Sequence, residues 1–191
     1  MLNIMIVGVG GQGSLLASRI LGSLFLSEGL DVKLSEVHGM AQRGGSVVTY
    51  IRAGEDIPSP LIPAGECDVI ISFEKIEAAR YLPWLKKDGM VVVNDQKISP
   101  LSVLTGAANY PDNILDEIAA KGVKLIAFDA LRAAAEAGSE RAANVALLGA
   151  ASREIGFSRE AWENAIRSTV KPAFVELNLN AFEIGYQHSK N

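Results

Sequence analysis

The feature that most constrains this chain lies at its start. Leu2-Asn3-Ile4-Met5-Ile6-Val7 is a short apolar run that stops at Gly8-Val9-Gly10-Gly11-Gln12-Gly13. A run of this kind, bounded by glycine, reads as a buried strand of a parallel sheet. Ser14 to Glu28 follows, apolar over most of its faces, with Gly29 placed to end it as a helix. Asp31 to Val37 alternates and reads as a second strand, completing a βαβ unit. Gly8, Gly10 and Gly13 satisfy G-x-G-x-x-G between a strand and a helix, the context that gives the motif its meaning. The glycines permit a tight turn, and the helix N-terminus offers unpaired N–H groups and a partial positive charge to an anion. The plain reading is a dinucleotide site. Glu36, at the end of the second strand, stands where a ribose-binding carboxylate would stand. The alternative is that the glycines only let the helix pack tightly on the sheet.

The rest of the chain continues the alternation. Val47 to Arg52 reads as a strand that comes too soon for a helical crossover, so it is expected beside the second strand or on an edge. Ile57 to Gly65 carries Pro58, Pro60 and Pro63 and is a loop. Val69–Phe73, Met90–Asn94 and Val123–Phe128 read as buried strands. Helices are expected over Glu74–Lys87, with Pro83 ending or kinking it, and over Asn113–Lys121, whereas Ser99–Asn109 is weakly patterned. After Asp129 the chain is alanine-rich, with helices expected at about 130–137, 142–155, 159–169 and 173–186. The expected fold is α/β: a Rossmann-like, mostly parallel sheet with helices on both faces and an alanine-rich helical C-terminal part, as one domain over residues 1–191. Ligands of such sheets bind beyond the carboxyl ends of the strands.

Composition narrows the function. With 49% hydrophobic residues the chain has ample material for a core, which excludes disorder. The 18 Lys and Arg are scattered among 22 Asp and Glu, and the net charge of −4 excludes an electrostatic nucleic-acid binder. Cys67 is the one cysteine, so the chain cannot build a disulfide framework or hold an iron–sulfur cluster. Met1 to Val9 lacks a basic leader, and Leu15 to Leu26 is interrupted by Ser18, Arg19, Gly22 and Ser23. No membrane segment is expected, and the reading is a cytoplasmic protein. A charged fraction of only 21% points to an apolar surface covered by a partner.

A second loop presents chemistry. His38-Gly39-Met40-Ala41-Gln42-Arg43-Gly44-Gly45-Ser46 offers an imidazole, an amide, a guanidinium and two adjacent glycines. Arg43 with Gly44-Gly45 suits an anion, through a charged fork and backbone N–H groups together. Both loops are expected to face one crevice. The candidate binding residues are Gly8, Gly10, Gly11, Gln12, Gly13, Glu36, His38, Gln42, Arg43, Gly44, Gly45 and Ser46. His38 is favoured for binding or structure over proton transfer, and Glu36 is equally a strand-end carboxylate pairing with Arg43. Cys67 reads as an inert small hydrophobe. Glu74 and Glu77 read as favourable charge at a helix start or as a crevice wall. Trp84 and Trp162 read as core or interface. No Ser–His–Asp array, metal-spaced histidines or paired catalytic carboxylates stand out, so no catalytic or metal residue is assigned.

At these residues the sequence resembles a known family. Gly8-Val9-Gly10-Gly11-Gln12-Gly13, then Glu36 to Val47 through the His38–Ser46 loop, are similar to the gamma-type domain of the 2-oxoacid:ferredoxin oxidoreductases. Ser59-Pro60-Leu61-Ile62, Asp68, Glu74, Glu77-Ala78 and Asn144-Val145-Ala146-Leu147-Leu148-Gly149-Ala150 also match that pattern. The likeness covers nearly the whole chain, and it is to the separate small-chain form of the indolepyruvate branch. The resemblance implies a heteromeric enzyme that decarboxylates a 2-oxoacid, an aryl pyruvate in this branch, and releases an acyl-CoA. Thiamine diphosphate, magnesium and 4Fe-4S clusters are implied on a larger alpha subunit, with ferredoxin as electron acceptor. This domain is implied to help bind coenzyme A and complete the assembly. The residues agree, since no Gly-Asp-Gly with a downstream Asn, the thiamine signature, is present. Two rival readings stay open here: a free-standing NAD(P)-binding dehydrogenase or sensor domain, and a purely structural assembly subunit.

Overall fold

One reversed strand organises the sheet. In the computed structural model, which describes residues 1–39 and 45–189, strand β1 spans Leu2–Val9, β2 Asp31–His38 and β3 Ser46–Gly54. The connection from β2 to β3 is too short for a crossover, so β3 returns antiparallel beside β2, from His38 opposite Val47 to Asp31 opposite Gly54. Its other edge pairs antiparallel with β1, from Leu2 opposite Ala53 to Val9 opposite Ser46. β1 and β2 therefore run the same way but are separated by β3. Strands β4 (Cys67–Ser72), β5 (Leu85–Asn94) and β6 (Lys124–Phe128) add in parallel on the far side of β1. The six described strands run in the order β2-β3-β1-β4-β5-β6.

Alternation along the strands gives each face its own core. Ile4, Ile6, Ile51, Val69, Ile71 and Val92 point to one side. Helices α1 (Ser14–Ser27), α5 (Ala130–Ala137), α6 (Ala143–Ile155), α7 (Arg159–Thr169) and α8 (Val175–His188) cover that side, with Leu24, Phe25, Leu147 and Trp162 in its core. Met5, Val7, Val48, Ile70, Val91 and Val93 point to the other, under α2 (Lys75–Tyr81) and α4 (Ile114–Ala119). Continuous apolar strands are what two covered faces demand. The expected α/β sheet with helices on both faces is thus observed, and β3 lies beside the second strand as expected, though inside the sheet rather than at its edge.

α6 is buried along almost its whole length because it lies between the sheet and α8. The two helices meet backbone to backbone. A Cβ on Gly185 would lie 1.8 Å from the carbonyl oxygen of Ala146, and one on Gly149 would lie 2.1 Å from that of Phe182. Trp162, buried on α7, donates its indole N–H to the carbonyl of Gly156 at 2.8 Å, as a buried indole must.

The helix expected over Glu74–Lys87 is shorter. It ends at Tyr81, Pro83 sits in a 3₁₀ turn over Leu82–Trp84, and Leu85 already belongs to β5. Proline stops the helix by removing a backbone donor. Ser99–Asn109 contains one short helix, α3 (Leu101–Leu104). Among the described residues no helix is long and apolar enough to cross a membrane.

Candidate functional site

The carboxyl ends of β1, β4 and β5 and the start of β3 form one edge, and the glycine loop lies on it. Gly8 is still within β1, opposite Val47. A Cβ there would approach the Gln12 amide oxygen to 2.8 Å and Cβ of Phe73 to 2.9 Å, so only glycine lets the loop fold down on β4. Gly13 takes a left-handed conformation (φ 88°) at the N-cap of α1. Gly11 is also left-handed (φ 95°), and a Cβ on it would meet nothing within 4 Å, so its surroundings are open.

Gln12 closes the loop rather than pointing away from it. Its amide oxygen accepts from the backbone N–H of Val9 at 2.7 Å. Its amide nitrogen donates to the carbonyl of Phe73 and to the amide oxygen of Gln96, each at 3.1 Å. Asn94 donates to the same two acceptors, at 3.2 and 3.1 Å. The ends of β1, β4 and β5 are thereby tied by side-chain amides. Asn144, at the start of α6, donates to the carbonyl of Gly13 at 3.1 Å and fixes the entry to α1. Asn144 falls within the helix expected at about 142–155, but this tie is not legible in the sequence, since 131 residues separate it from Gly13.

The two loops meet. The N–H of Gly10 donates to the carbonyl of Gly45 at 3.2 Å, and the N–H of Gly39 donates to that of Ser46 at 2.9 Å. The Ser46 hydroxyl donates to the carboxylate of Glu77, which also accepts from Arg80 Nε at 3.1 Å. Glu77 is buried, so the base of the second loop is pinned to α2 by a charge-assisted bond. Gln42, Arg43 and Gly44 lie outside the described residues.

Glu36 and His38 sit further out. β3 stands between β1 and β2, so Glu36 is two strand spacings, roughly 10 Å, from β1 rather than on the neighbouring strand. Its carboxylate accepts from Thr49 Oγ1 at 3.1 Å and lies 2.6 Å from Nε2 of the exposed His38. This geometry differs from that of a ribose-binding carboxylate on the strand next to the glycine turn. Cys67 is fully buried, and burial pushes its thiol up to about 12, so it is inert in the folded chain. Glu74 is the N-cap of α2. One oxygen accepts from the N–H of Glu77 at 3.1 Å, and the other accepts from the N–H of Ile98 at 3.1 Å and from the Tyr110 hydroxyl at 2.5 Å.

What remains at this edge is the start of α1. α1 has no acidic residue in its first turn and no side-chain cap. The N–H groups of Leu16 and Ala17 donate to the carbonyl of Gly13 at 3.2 and 3.3 Å, so the donors left at this end are those that precede them, and the partial positive charge is uncompensated by the helix's own first turn.

The comparisons with known proteins agree with this architecture. The family described as "Pyruvate ferredoxin/flavodoxin oxidoreductase" matches residues 3–188. The chain is 46% identical over 195 aligned residues to the indolepyruvate oxidoreductase subunit IorB of Thermococcus kodakarensis, covering 98% of this chain and 96% of that one. It superposes with a TM-score of 0.72 and 27% identity on the gamma subunit of a keto/oxoacid ferredoxin oxidoreductase from Geobacter sulfurreducens, covering 100% and 99% of the two chains. A 2-oxoglutarate:ferredoxin oxidoreductase from Magnetococcus marinus, solved with 2-oxoglutarate, coenzyme A and succinyl-CoA bound, shares the fold (TM-score 0.74, 21% identity) over 99% of this chain and 31% of its own. With the reversed β3, the paired glycine loops and a match along nearly its full length, the chain belongs to the pyruvate ferredoxin/flavodoxin oxidoreductase family.

Proposed function

We propose that this chain is the small subunit of a 2-oxoacid:ferredoxin oxidoreductase of the indolepyruvate type, and that its paired glycine loops bind the phosphate-bearing part of coenzyme A. The observation that carries the first half is the 46% identity to a subunit of that name over nearly both full lengths. The second half rests on the joined loops. The uncapped N-terminus of α1 and the open backbone at Gly11 suit a phosphate, and Arg43 lies in the second loop, whose Gly45 carbonyl meets the Gly10 N–H. The overall reaction is oxidative decarboxylation: the 2-oxoacid loses carbon dioxide, its acyl group passes to the coenzyme A thiol, and two electrons leave for ferredoxin.

Thiamine diphosphate, magnesium and the 4Fe-4S clusters belong, in this reading, to the larger alpha subunit. A cluster needs a set of cysteine thiolates, and the one cysteine here is buried. Among the described residues no group of three metal-ligating side chains is present either. The role of this chain is to hold one substrate and to complete the assembly. The structure counts against a free NAD(P) site, because Glu36 is displaced by the intervening β3 and engaged with Thr49 and His38.

The test is co-expression with the thiamine- and cluster-bearing partner, followed by 2-oxoacid-dependent reduction of a viologen. Complex formation and activity that require both chains support the subunit reading, and a fully active free chain overturns it. Arg43→Ala and Gly11→Ala should each raise the KM for coenzyme A by about tenfold with little change in the KM for the 2-oxoacid. Unchanged coenzyme A dependence in both would remove the ligand from these loops. Calorimetric titration with NADH in place of coenzyme A gives no heat of binding in this reading.

A further inference from the structure

A second candidate site lies along the first turns of α1, lined by none of the glycine-loop residues. A cavity of about 500 Å³ opens between α1, the Ser139–Ala142 turn and the chain from Thr169 to Asn178. That volume falls in the range of small-molecule pockets, roughly 300–1,000 Å³. Each of the three segments contributes one cation: Arg19 from α1, Arg141 from the turn and Lys171 from the chain before α8. None of the three is in an ion pair among the described residues, whereas Arg80, Lys86, Arg159 and Arg167 all have carboxylate partners. No acidic side chain lines the cavity. Three unneutralised cations around one concavity, on a chain of net charge −4, make a local positive field against the sign of the whole.

The walls between the cations are apolar. Leu16 and Leu177 line the cavity, and Phe174 beside them is 54% exposed, an aromatic face open to a ligand ring. Leu16 and Arg19 are three residues apart on α1 and so present an apolar and a cationic group on one face. The ligand chemistry that matches is an anionic head on an aromatic or branched apolar body. We propose that this cavity binds a small aromatic anion, a phosphate or a carboxylate, with its charge among Arg19, Arg141 and Lys171 and its ring against Phe174 and Leu177. The proposal does not depend on the coenzyme A reading, because the residues are different.

Calorimetry on the full chain tests it with four probes: phenyl phosphate, phenylacetate, inorganic phosphate and benzyl alcohol. One of the two aromatic anions should saturate a single site at least tenfold more tightly than inorganic phosphate or benzyl alcohol, and the order of the two tells which head group the site takes. Joint replacement R19Q/R141Q/K171Q should weaken that binding by about tenfold or more, and F174A should weaken the aromatic anions while leaving inorganic phosphate unchanged. Arg43→Ala should leave the tight aromatic-anion site unchanged, whatever it does to inorganic phosphate at the glycine loops, and loss of that tight site in this variant would overturn the assignment. It is also overturned by binding that survives the triple replacement in a variant with native circular dichroism, or by no saturable binding of either aromatic anion. Capture of an acidic peptide with an aromatic anchor in place of the small anions would make the cavity a protein-docking groove instead.

Discussion

Glu74 is 1% exposed, and the three groups that donate to it come from α2, from Ile98 and from Tyr110. The motif match and the strand–helix boundary made Glu74 legible as a helix start. Its partners were not legible, because Ile98 and Tyr110 come from a weakly patterned stretch that only the fold returns to this point. Burial and the adjacent Glu74 carboxylate push the Tyr110 hydroxyl well above its ordinary value of 10.0. Its folded pKa lies above the unfolded one, so its contribution to stability is fully present below pH 10 and is lost as pH rises through the folded value. Tyr110→Phe should cost about 1–2 kcal/mol at neutral pH. Its melting temperature should then fall less steeply than that of the parent chain as the solution is made alkaline, and equal alkaline slopes would show that this hydroxyl does not titrate with unfolding. Cys67 gives a second residue-scale test. A thiol pushed up to about 12 and fully buried should resist an aromatic disulfide reagent in the native chain and react once the chain is unfolded.

At the scale of elements, the helices after Asp129 were legible to within two residues because apolar spacing, Ser158 and the glycines at 138 and 156 all agree locally. The placement of β3 between β1 and β2 was not legible, because strand order is set by long-range pairing and Val47–Arg52 looks the same at an edge or inside. The contact that Gly149 and Gly185 make was likewise not legible, since glycine inside a helix ordinarily only weakens it. Here they let α6 and α8 touch at the backbone, where an added Cβ would fall 2.1 Å and 1.8 Å from carbonyl oxygens. Gly185→Ala should therefore cost about 3 kcal/mol or more by overpacking, despite its better helix propensity. Gly22→Ala is the control. Gly22 is also helical, but a Cβ there meets nothing within 4 Å, so the change should stabilise the chain by about 0.5–1 kcal/mol. Chemical denaturation of the two variants measures the contrast, and equal effects would mean that the helices can part without cost.

For the molecule as a whole, the low charge content reads differently once the surface is known. Both faces of the sheet are covered, so the fold's own core does not account for the large apolar side chains left outside. Leu101 and Leu104 on α3 are 73% and 71% exposed, one helical turn apart. Scattered exposed leucines are ordinary on any protein, but a pair at this spacing forms a small ridge that the free chain does not use. If the chain is the small subunit proposed here, this ridge is a place where the larger partner can remove apolar surface from water. The double variant L101S/L104S should then leave the melting temperature of the free chain within the range of ordinary surface changes, about 0.5 kcal/mol. It should also slow or weaken assembly with the thiamine-bearing subunit, read as a rise in the concentration of small chain needed for half-maximal viologen reduction. The two readouts separate the explanations: a lower melting temperature would mean that α3 supports its own domain, and unchanged assembly would put the partner on another face of the sheet.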